Sequence, residues 1–203
     1  MFPWIVANIG GTNARFSLVT GRHPLSGAFE FGQRRDFATA DYSGFADCLD
    51  EYLNGIEGDR PQLASIAVAG PVGGDRVRLT NASWDFSIAD IRQQFSLTRF
   101  EVINDFAALA CSVTQLGSDD LWSVCEGTAH PAASRAIIGP GTGLGVAALV
   151  QTAGAWLPVP GEGGHRAYAP QSERELALLQ WLQSRQDYVC VENLLSGAGL
   201  CTI

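Results

Sequence analysis

Short apolar runs punctuated by glycine set the rhythm of this chain. Residues 4–9, Trp-Ile-Val-Ala-Asn-Ile, are predicted as a buried strand. Arg15-Phe16-Ser17-Leu18-Val19 alternates apolar with polar and is predicted as its hairpin partner across Gly10-Gly11. A further strand is expected around Arg34 to Phe37, then a helix capped by Ser43 with Phe45, Cys48, Leu49 and Tyr52 at helical spacing. Leu63 to Ala69 is a short apolar strand stopped by Gly70-Pro71, and Gly73-Gly74-Asp75 suits a turn before a strand at residues 76–79. Ser87 caps a helix with Ile88, Ile91 and Phe95 on one face. Residues 100–103 form a strand, followed by Asn104-Asp105 and an apolar helix from Phe106 to about Leu116.

Past Ser118 the pattern predicts three consecutive strands, at residues 136–138, 145–150 and 155–159. A loop follows at Pro160-Gly161-Glu162-Gly163-Gly164-His165. Ser172 then begins an amphipathic helix, with Glu173 and Glu175 in the first turn, where the helix dipole favours acids, and Leu176, Leu179 and Leu182 on its apolar face. A short helix is predicted over Val191 to Leu195. Ser196 opens another, but the sequence stops at Ile203; a helix cut after its first turn is marginal alone, so a truncated chain is expected.

The 203 residues, 46% hydrophobic, allow one large domain or two small ones. A net charge of −8 lacks the basic footprint of a general nucleic-acid binder. All 13 basic residues are arginine, which excludes a Walker P-loop and a protein-kinase fold, since both use a lysine on the phosphates. The 5 cysteines are scattered without a C-x-x-C pair, which reads as reduced thiols in a cytosolic protein and not as a zinc or redox motif. The N-terminus lacks the pattern of a signal peptide, and no apolar run has the length of a membrane span.

Two segments join a strand to a second strand through a glycine-rich turn with a threonine: Ile9-Gly10-Gly11-Thr12-Asn13-Ala14-Arg15 and Gly139-Pro140-Gly141-Thr142-Gly143-Leu144-Gly145. Such turns aim several backbone N–H groups at one point and bind anions, phosphate above all. The second departs from the G-x-G-x-x-G spacing of a Rossmann site, and an ordinary hairpin remains its alternative. Asn104-Asp105 lies at a strand end, where ligands bind in open α/β sheets; Asp105 is a candidate general base there, or simply a helix cap. Glu162 and His165, in a loop without bulk, suit a polyhydroxyl ligand, the alternatives being a solvated loop and a metal site, for which no cysteine cluster supplies further ligands. Glu192 taken alone is an exposed helix acid, and His23 and His130 carry no usable signal.

Together these segments, with Gly70-Pro71-Val72, Leu79-Thr80-Asn81-Ala82-Ser83-Trp84 and Leu195-Ser196-Gly197-Ala198-Gly199-Leu200, closely resemble the bacterial ATP-dependent glucokinases of the hexokinase/actin-like superfamily. They occur in family order along the whole chain. The related repressor/kinase group with a structural zinc is less similar, because its cysteine cluster is missing here. The resemblance implies an α/β, two-lobed ribonuclease-H-like/actin-like fold with mixed sheets and an incomplete second lobe. It places a small lobe at residues 1–110 and a partial large lobe at 111–203. The implied reaction is transfer of the ATP γ-phosphate to the 6-hydroxyl of glucose, with Mg²⁺ on the phosphates.

By the same resemblance Asp105 is the base, and Asn104, Glu162, His165 and Glu192 hold sugar hydroxyls, with Asn81 facing the sugar from a small-lobe loop. Gly10, Gly11 and Thr12, flanked by Asn8, Asn13 and Arg15, form the first phosphate loop, and Gly141, Thr142 and Gly143 the second. A cytoplasmic enzyme of glycolysis is implied, without nucleic-acid or membrane partners, and a homodimer is left open. Two departures stand out. The family carries Asp where this chain has Asn8, and its members continue into a further phosphate/adenosine segment and a C-terminal helix. Two rival readings follow: a catalytically impaired sugar-binding or regulatory homologue, and a kinase for another hexose or a small acid.

Overall fold

In a computed structural model of the chain, which describes residues 2–79, 82–128 and 130–203, the backbone divides into two compact units, Met1–Asp105 and Phe106–Ile203. The first unit contains β1 (Trp4–Ile9), β2 (Asn13–Arg22), β3 (Phe29–Ala38), α1 (Phe45–Asn54), β4 (Leu63–Val68), β5 (Arg76–Arg78), β6 (Asp85–Ser87), α2 (Ile88–Gln94) and β7 (Arg99–Asn104). Its main sheet is mixed, in the order β3-β2-β1-β4-β7. The first three strands form an antiparallel meander, whereas β4 and β7 join parallel to β1, since the segments carrying α1 and α2 are long enough for crossovers. Ile9 pairs with Val68, and Val68 with Asn104. The carboxyl ends of three parallel neighbours therefore fall in register at one edge.

α1 covers this sheet with Phe45, Cys48, Leu49, Tyr52 and Leu53, all buried, at the spacing of a helix stripe facing a core. The Phe16 ring stacks on Tyr52 with centroids 5.0 Å apart, and Phe45 stacks on Phe86 at 4.6 Å. Each such pair adds about 0.5–1.5 kcal/mol beyond its buried area. The cap of α1 is Gly44, not the predicted Ser43, and Gly44 makes no side-chain cap bond. The Ser43 hydroxyl is instead engaged by the Asp47 carboxylate in the first turn. Ser87 does cap α2: its Oγ accepts from the Asp90 N–H at 3.1 Å and donates to Asp75 Oδ2 at 2.6 Å.

α3 (Asp105–Ser112) opens on the last residue of the first unit and runs into the second. It is shorter than the predicted helix, passing into a 3₁₀ turn at Val113–Gln115. β8 (Arg135–Pro140), β9 (Leu144–Thr152) and β10 (Ala155–Gly161) follow as an antiparallel meander. Ile137, Ala147, Leu149 and Trp156 from that meander pack on Phe106, Ala110 and Val113.

α4 (Glu173–Gln183) and α5 (Gly197–Thr202) complete the described elements, capped by Ser172 and Ser196 as the sequence predicts. The apolar face of α4 starts later than predicted. Leu182 is buried with Leu178 and Leu179 beside it, whereas Leu176 is 47% exposed. The reason is that Tyr168, Val189 and Leu194, which cover the helix, meet its C-terminal half. No helix among the described residues is long and apolar enough to cross a membrane.

Candidate functional site

At the carboxyl edge of the first sheet, three chain segments meet. The first is the turn between β1 and β2. Gly10 N–H donates to the Asn13 carbonyl at 2.8 Å, which closes the turn. Thr39, just past β3, then fixes the outer face of that turn from two sides. Its N–H donates to the Thr12 carbonyl at 3.0 Å, and its Oγ1 donates to the Gly11 carbonyl at 2.7 Å. Both carbonyls are thereby occupied, while the N–H groups of Gly11 and Thr12 have no bond among the described residues. Two donors left on a fixed turn are what an anion nest needs. Thr39 is 3% exposed. Nothing in the hydrophobic pattern singled it out; a lone threonine after a strand is a common surface residue.

The second segment follows β4. Ala69 N–H bonds to the Ile9 carbonyl at 2.9 Å, and Gly70 turns the chain at φ 152°, where glycine is at ease and side-chain-bearing residues are not. The third follows β7. Asn104 Nδ2 donates to the Gly70 carbonyl at 3.1 Å and to Asp105 Oδ1 at 3.1 Å. The amide therefore ties the Asp105 carboxylate to the neighbouring strand end. Asp105 sits at the strand-to-helix junction expected of a ligand-facing residue in a parallel sheet.

Asn8 and Arg15 lie opposite each other in the β1–β2 ladder, on an open depression of the sheet face that Val6, Ser17, Phe31 and Arg34 also line. Arg15 Nε pairs with Asp36 at 3.4 Å, and Arg34 Nε with the same carboxylate at 3.1 Å. The Arg34 hydrogen bond is the main reason that the Asp36 carboxyl lies below the usual carboxylate range. Asn81, expected to face a sugar, lies outside the described residues.

In the second unit the loop residues come together around one carboxylate. Residues 166–168 pair with 189–191: Tyr168 N–H donates to the Val189 carbonyl, and Val191 N–H to the Arg166 carbonyl, each at 2.9 Å. Tyr188 Oη donates to the His165 carbonyl at 2.6 Å. This ladder carries His165 and Glu192 to the same place. His165 Nε2 is 3.7 Å from Glu162 Oε2, and its Nδ1 is 4.0 Å from Glu192 Oε1. An imidazole between two carboxylates offers one donor and several acceptors to a polyol. Glu192 is thus no mere surface acid; it lies on a 3₁₀ turn, Val191–Asn193, with its side chain 29% exposed.

The second glycine-rich turn joins β8 to β9. Gly141 N–H closes it onto the Gly143 carbonyl at 2.7 Å, and the Gly141 carbonyl accepts from the Gly197 N–H at 2.9 Å. Leu144 N–H donates to Glu192 Oε2 at 2.7 Å. The N–H groups of Thr142 and Gly143 remain without a bond among the described residues. Gly139 and Gly145 serve a different purpose. A Cβ on Gly139 would lie 3.0 Å from Phe106 Cζ, and a Cβ on Gly145 would overlap the Phe106 ring. These two glycines are a flat seat for an aromatic ring, and only the turn between them has donors to offer.

Among the described residues no group of three or more His, Cys, Asp or Glu side chains forms a metal cage.

A mixed sheet with a carboxylate at the edge of its parallel strands, and a glycine hairpin in each unit, belongs to the actin-like fold class. The glucokinase family profile matches residues 5–203, and this chain belongs to that family. It is 40% identical over 200 residues to a glucokinase from Saccharophagus degradans and 42% identical over 198 residues to one from Chromohalobacter salexigens. The match covers 98% of this chain in both cases, and 62% and 60% of those relatives. The chain thus spans about three fifths of the length of the curated relatives it matches. Among solved structures, a glucokinase from an Antarctic psychrotroph superposes with a TM-score of 0.85 at 37% identity, covering 98% of this chain and 62% of that one. A glucokinase from Balamuthia mandrillaris in complex with glucose, at 20% identity and a TM-score of 0.68, shows likeness of fold.

Proposed function

We propose that this chain carries the sugar-phosphorylating residues of an ATP-dependent glucokinase, which transfers the γ-phosphate of ATP to the 6-hydroxyl of glucose. The observation that carries the reading is the Asn104–Asp105 pair at the sheet edge, with Asp105 Oδ1 held by the Asn104 amide. Asp105 accepts the proton of the 6-hydroxyl as that oxygen bonds to the γ-phosphorus and the bond to the β-phosphate oxygen breaks. ADP leaves with the electron pair of that bond. Asn104 orients the carboxylate through the hydrogen bond from its amide. Glu162, His165 and Glu192 hold the other sugar hydroxyls. Selectivity for a polyol follows, since these polar groups would go unpaired against a poorer partner.

The N–H groups of Gly11, Thr12, Thr142 and Gly143 supply fixed dipoles for phosphate charge. Gly10, Asn13 and Gly141 close the turns that present them. Mg²⁺ belongs to this reading as the counter-ion of the ATP phosphates, brought in with the co-substrate. A cytoplasmic setting and a homodimer go with the same reading. The neutral amide at Asn8, exposed on the sheet face, favours a second reading, a sugar-binding homologue with impaired turnover.

A coupled assay of glucose-dependent ADP formation separates the two. Asp105→Ala should lower turnover by about 10²–10⁴, the worth of a positioned general base, and leave glucose binding measurable by calorimetry. Sugar binding without turnover in the unmodified chain would reject the kinase reading for this chain. Unchanged turnover in Asp105→Ala would remove Asp105 as base. Preference for another hexose in a sugar panel would reject the glucose assignment.

A further inference from the structure

Three observations converge on Leu144, the first residue of β9. Its N–H is held by Glu192 Oε2 at 2.7 Å. Its backbone is closely covered by the sugar loop: a Cβ on Gly164 would collide with the Leu144 carbonyl oxygen and lie 3.1 Å from the carbonyl carbon. Beside it, a Cβ on Gly143 would collide with the Glu192 carboxylate, coming within 3.0 Å of its Cδ. Glycine is therefore required at 164, where backbone approaches, and at 143 any side chain would displace the Glu192 carboxylate. The chain just beyond Glu192 is fastened to the same turn, through Gly197 N–H on the Gly141 carbonyl at 2.9 Å. The other Glu192 oxygen, Oε1, faces His165 Nδ1 at 4.0 Å.

We propose that Glu192 is a positioning residue for the second glycine hairpin: its carboxylate fixes the hairpin through Leu144 N–H and couples it to the sugar loop. The coupling rests on the glucose-binding reading above; the positioning does not. The carboxylate removes one donor from the turn and places negative charge beside the two that remain, on Thr142 and Gly143. A charge so close opposes an arriving phosphate. A sugar hydroxyl that donates to the carboxylate takes up part of that charge and competes with Leu144 N–H for it. Sugar occupancy is then read at the hairpin without a hinge or a moving domain. The surrounding groups support this assignment. Glu162 faces the opposite ring nitrogen of His165 at 3.7 Å, so no second carboxylate is bonded to Leu144.

The test is amide hydrogen exchange on the full chain, with glucose as the probe and with Glu192→Met and Glu192→Gln. Methionine keeps the length and has no carboxylate acceptor. Glutamine keeps an acceptor oxygen and removes the charge. In the absence of sugar, Leu144 N–H should exchange about tenfold faster in the Met variant and within about threefold of the unmodified chain in the Gln variant, as expected for loss or retention of one hydrogen bond. Protection at Ala147 and Leu149 in the core of the meander should be unchanged in both. If the Met variant does not fold, the Gln comparison decides: collapse of Leu144 protection in a folded Gln variant overturns the positioning, as does unchanged exchange in a folded Met variant.

With glucose bound, as monitored by calorimetry, exchange across residues 141–144 should change in the unmodified chain. Glucose binding that leaves the turn unaffected overturns the coupling alone. Failure of glucose to bind overturns the sugar reading and the coupling with it, while the sugar-free exchange still decides the positioning.

Discussion

Replacing Gly145 by alanine tests whether the glycines flanking the second turn serve packing or the ligand. Gly145 has no positive φ, so alanine suits its backbone. In a neutral environment the change would stabilise the chain by about 0.4–1 kcal/mol, through the lower entropy of the unfolded state. The obstacle is Phe106, whose ring atoms Cε2, Cζ and Cδ2 occupy the position the new methyl would take. The ring packs against the buried cluster of Ala110, Ile137, Ala147 and Leu149, so displacing it disturbs that cluster. Overpacking of this kind costs about 1–3 kcal/mol.

A net loss of about 2 kcal/mol would move a urea midpoint by about 1 M, for a slope of about 2 kcal/mol per M. The decisive measurement is the same substitution in a Phe106→Leu background. There the ring edge is gone, and the cost of Gly145→Ala should fall to zero or change sign. The coupling energy of that cycle should be about 1–3 kcal/mol, as for residues in direct contact. Hydrogen exchange at β8 and β9 amides would confirm that the change falls in the second unit. An equal cost in both backgrounds would refute the assignment of Gly145 as a seat for Phe106.

Three further outcomes are expected. Thr39→Val keeps the volume of the side chain and removes its bond to the Gly11 carbonyl; it should cost about 0.5–1.5 kcal/mol in urea denaturation and speed exchange at Gly10 and Thr39, whose N–H groups close and fasten the turn, whereas Thr39→Ser should leave those amides unchanged. Asp75 accepts from Ser87 Oγ at 2.6 Å and from Ala89 N–H at 2.8 Å, and these bonds, Ser87 first, hold its carboxyl below the ordinary carboxylate value; its contribution is therefore present above that value and lost as pH falls through the depressed one, so Asp75→Asn should destabilise at neutral pH and converge with the parent in strong acid when melting is followed against pH. Burial pushes the Cys48 thiol up to about 12, and Cys190 is also buried while Cys111, Cys125 and Cys201 are exposed; mass spectrometry after maleimide treatment should find modification at those three in the native chain and at all five in denaturant.

The strands and caps were legible because their signals are local. Alternation and glycine punctuation suffice to find β1, β2 and the meander of β8 to β10, and Ser87, Ser172 and Ser196 announce their helices through a hydroxyl placed before an apolar stripe. Ser43 misled for the same kind of reason: its hydroxyl had an acid, Asp47, within reach, and a side-chain partner outcompeted the backbone. The Leu176 stripe failed because periodicity gives the direction of a face and not the length of its cover, which Tyr168, Val189 and Leu194 determine from distant positions.

The candidate site divides along the same line. Asp105 and the two glycine turns could be found because each is a contiguous word in the sequence. Thr39 and Tyr188 could not, since the side chain of each bonds to a carbonyl far off in sequence, 28 and 23 positions away, respectively. Glu192 falls between these cases. Its neighbourhood reads as an unremarkable short turn, and only the pairing of residues 166–168 with 189–191 delivers its carboxylate to His165 and Leu144.

That pairing also alters what the glycines mean. Of the four in Gly139, Gly141, Gly143 and Gly145, the outer pair yields to Phe106 and Gly143 to Glu192, all by close approach. A Cβ on Gly141 would meet nothing within 4 Å. A methyl group at 141 therefore has room in the protein itself. Alanine there should fold as well as the parent, and on the proposed phosphate-binding reading it should weaken phosphate binding alone. The same substitution at Gly143 or Gly145 should destabilise the fold first.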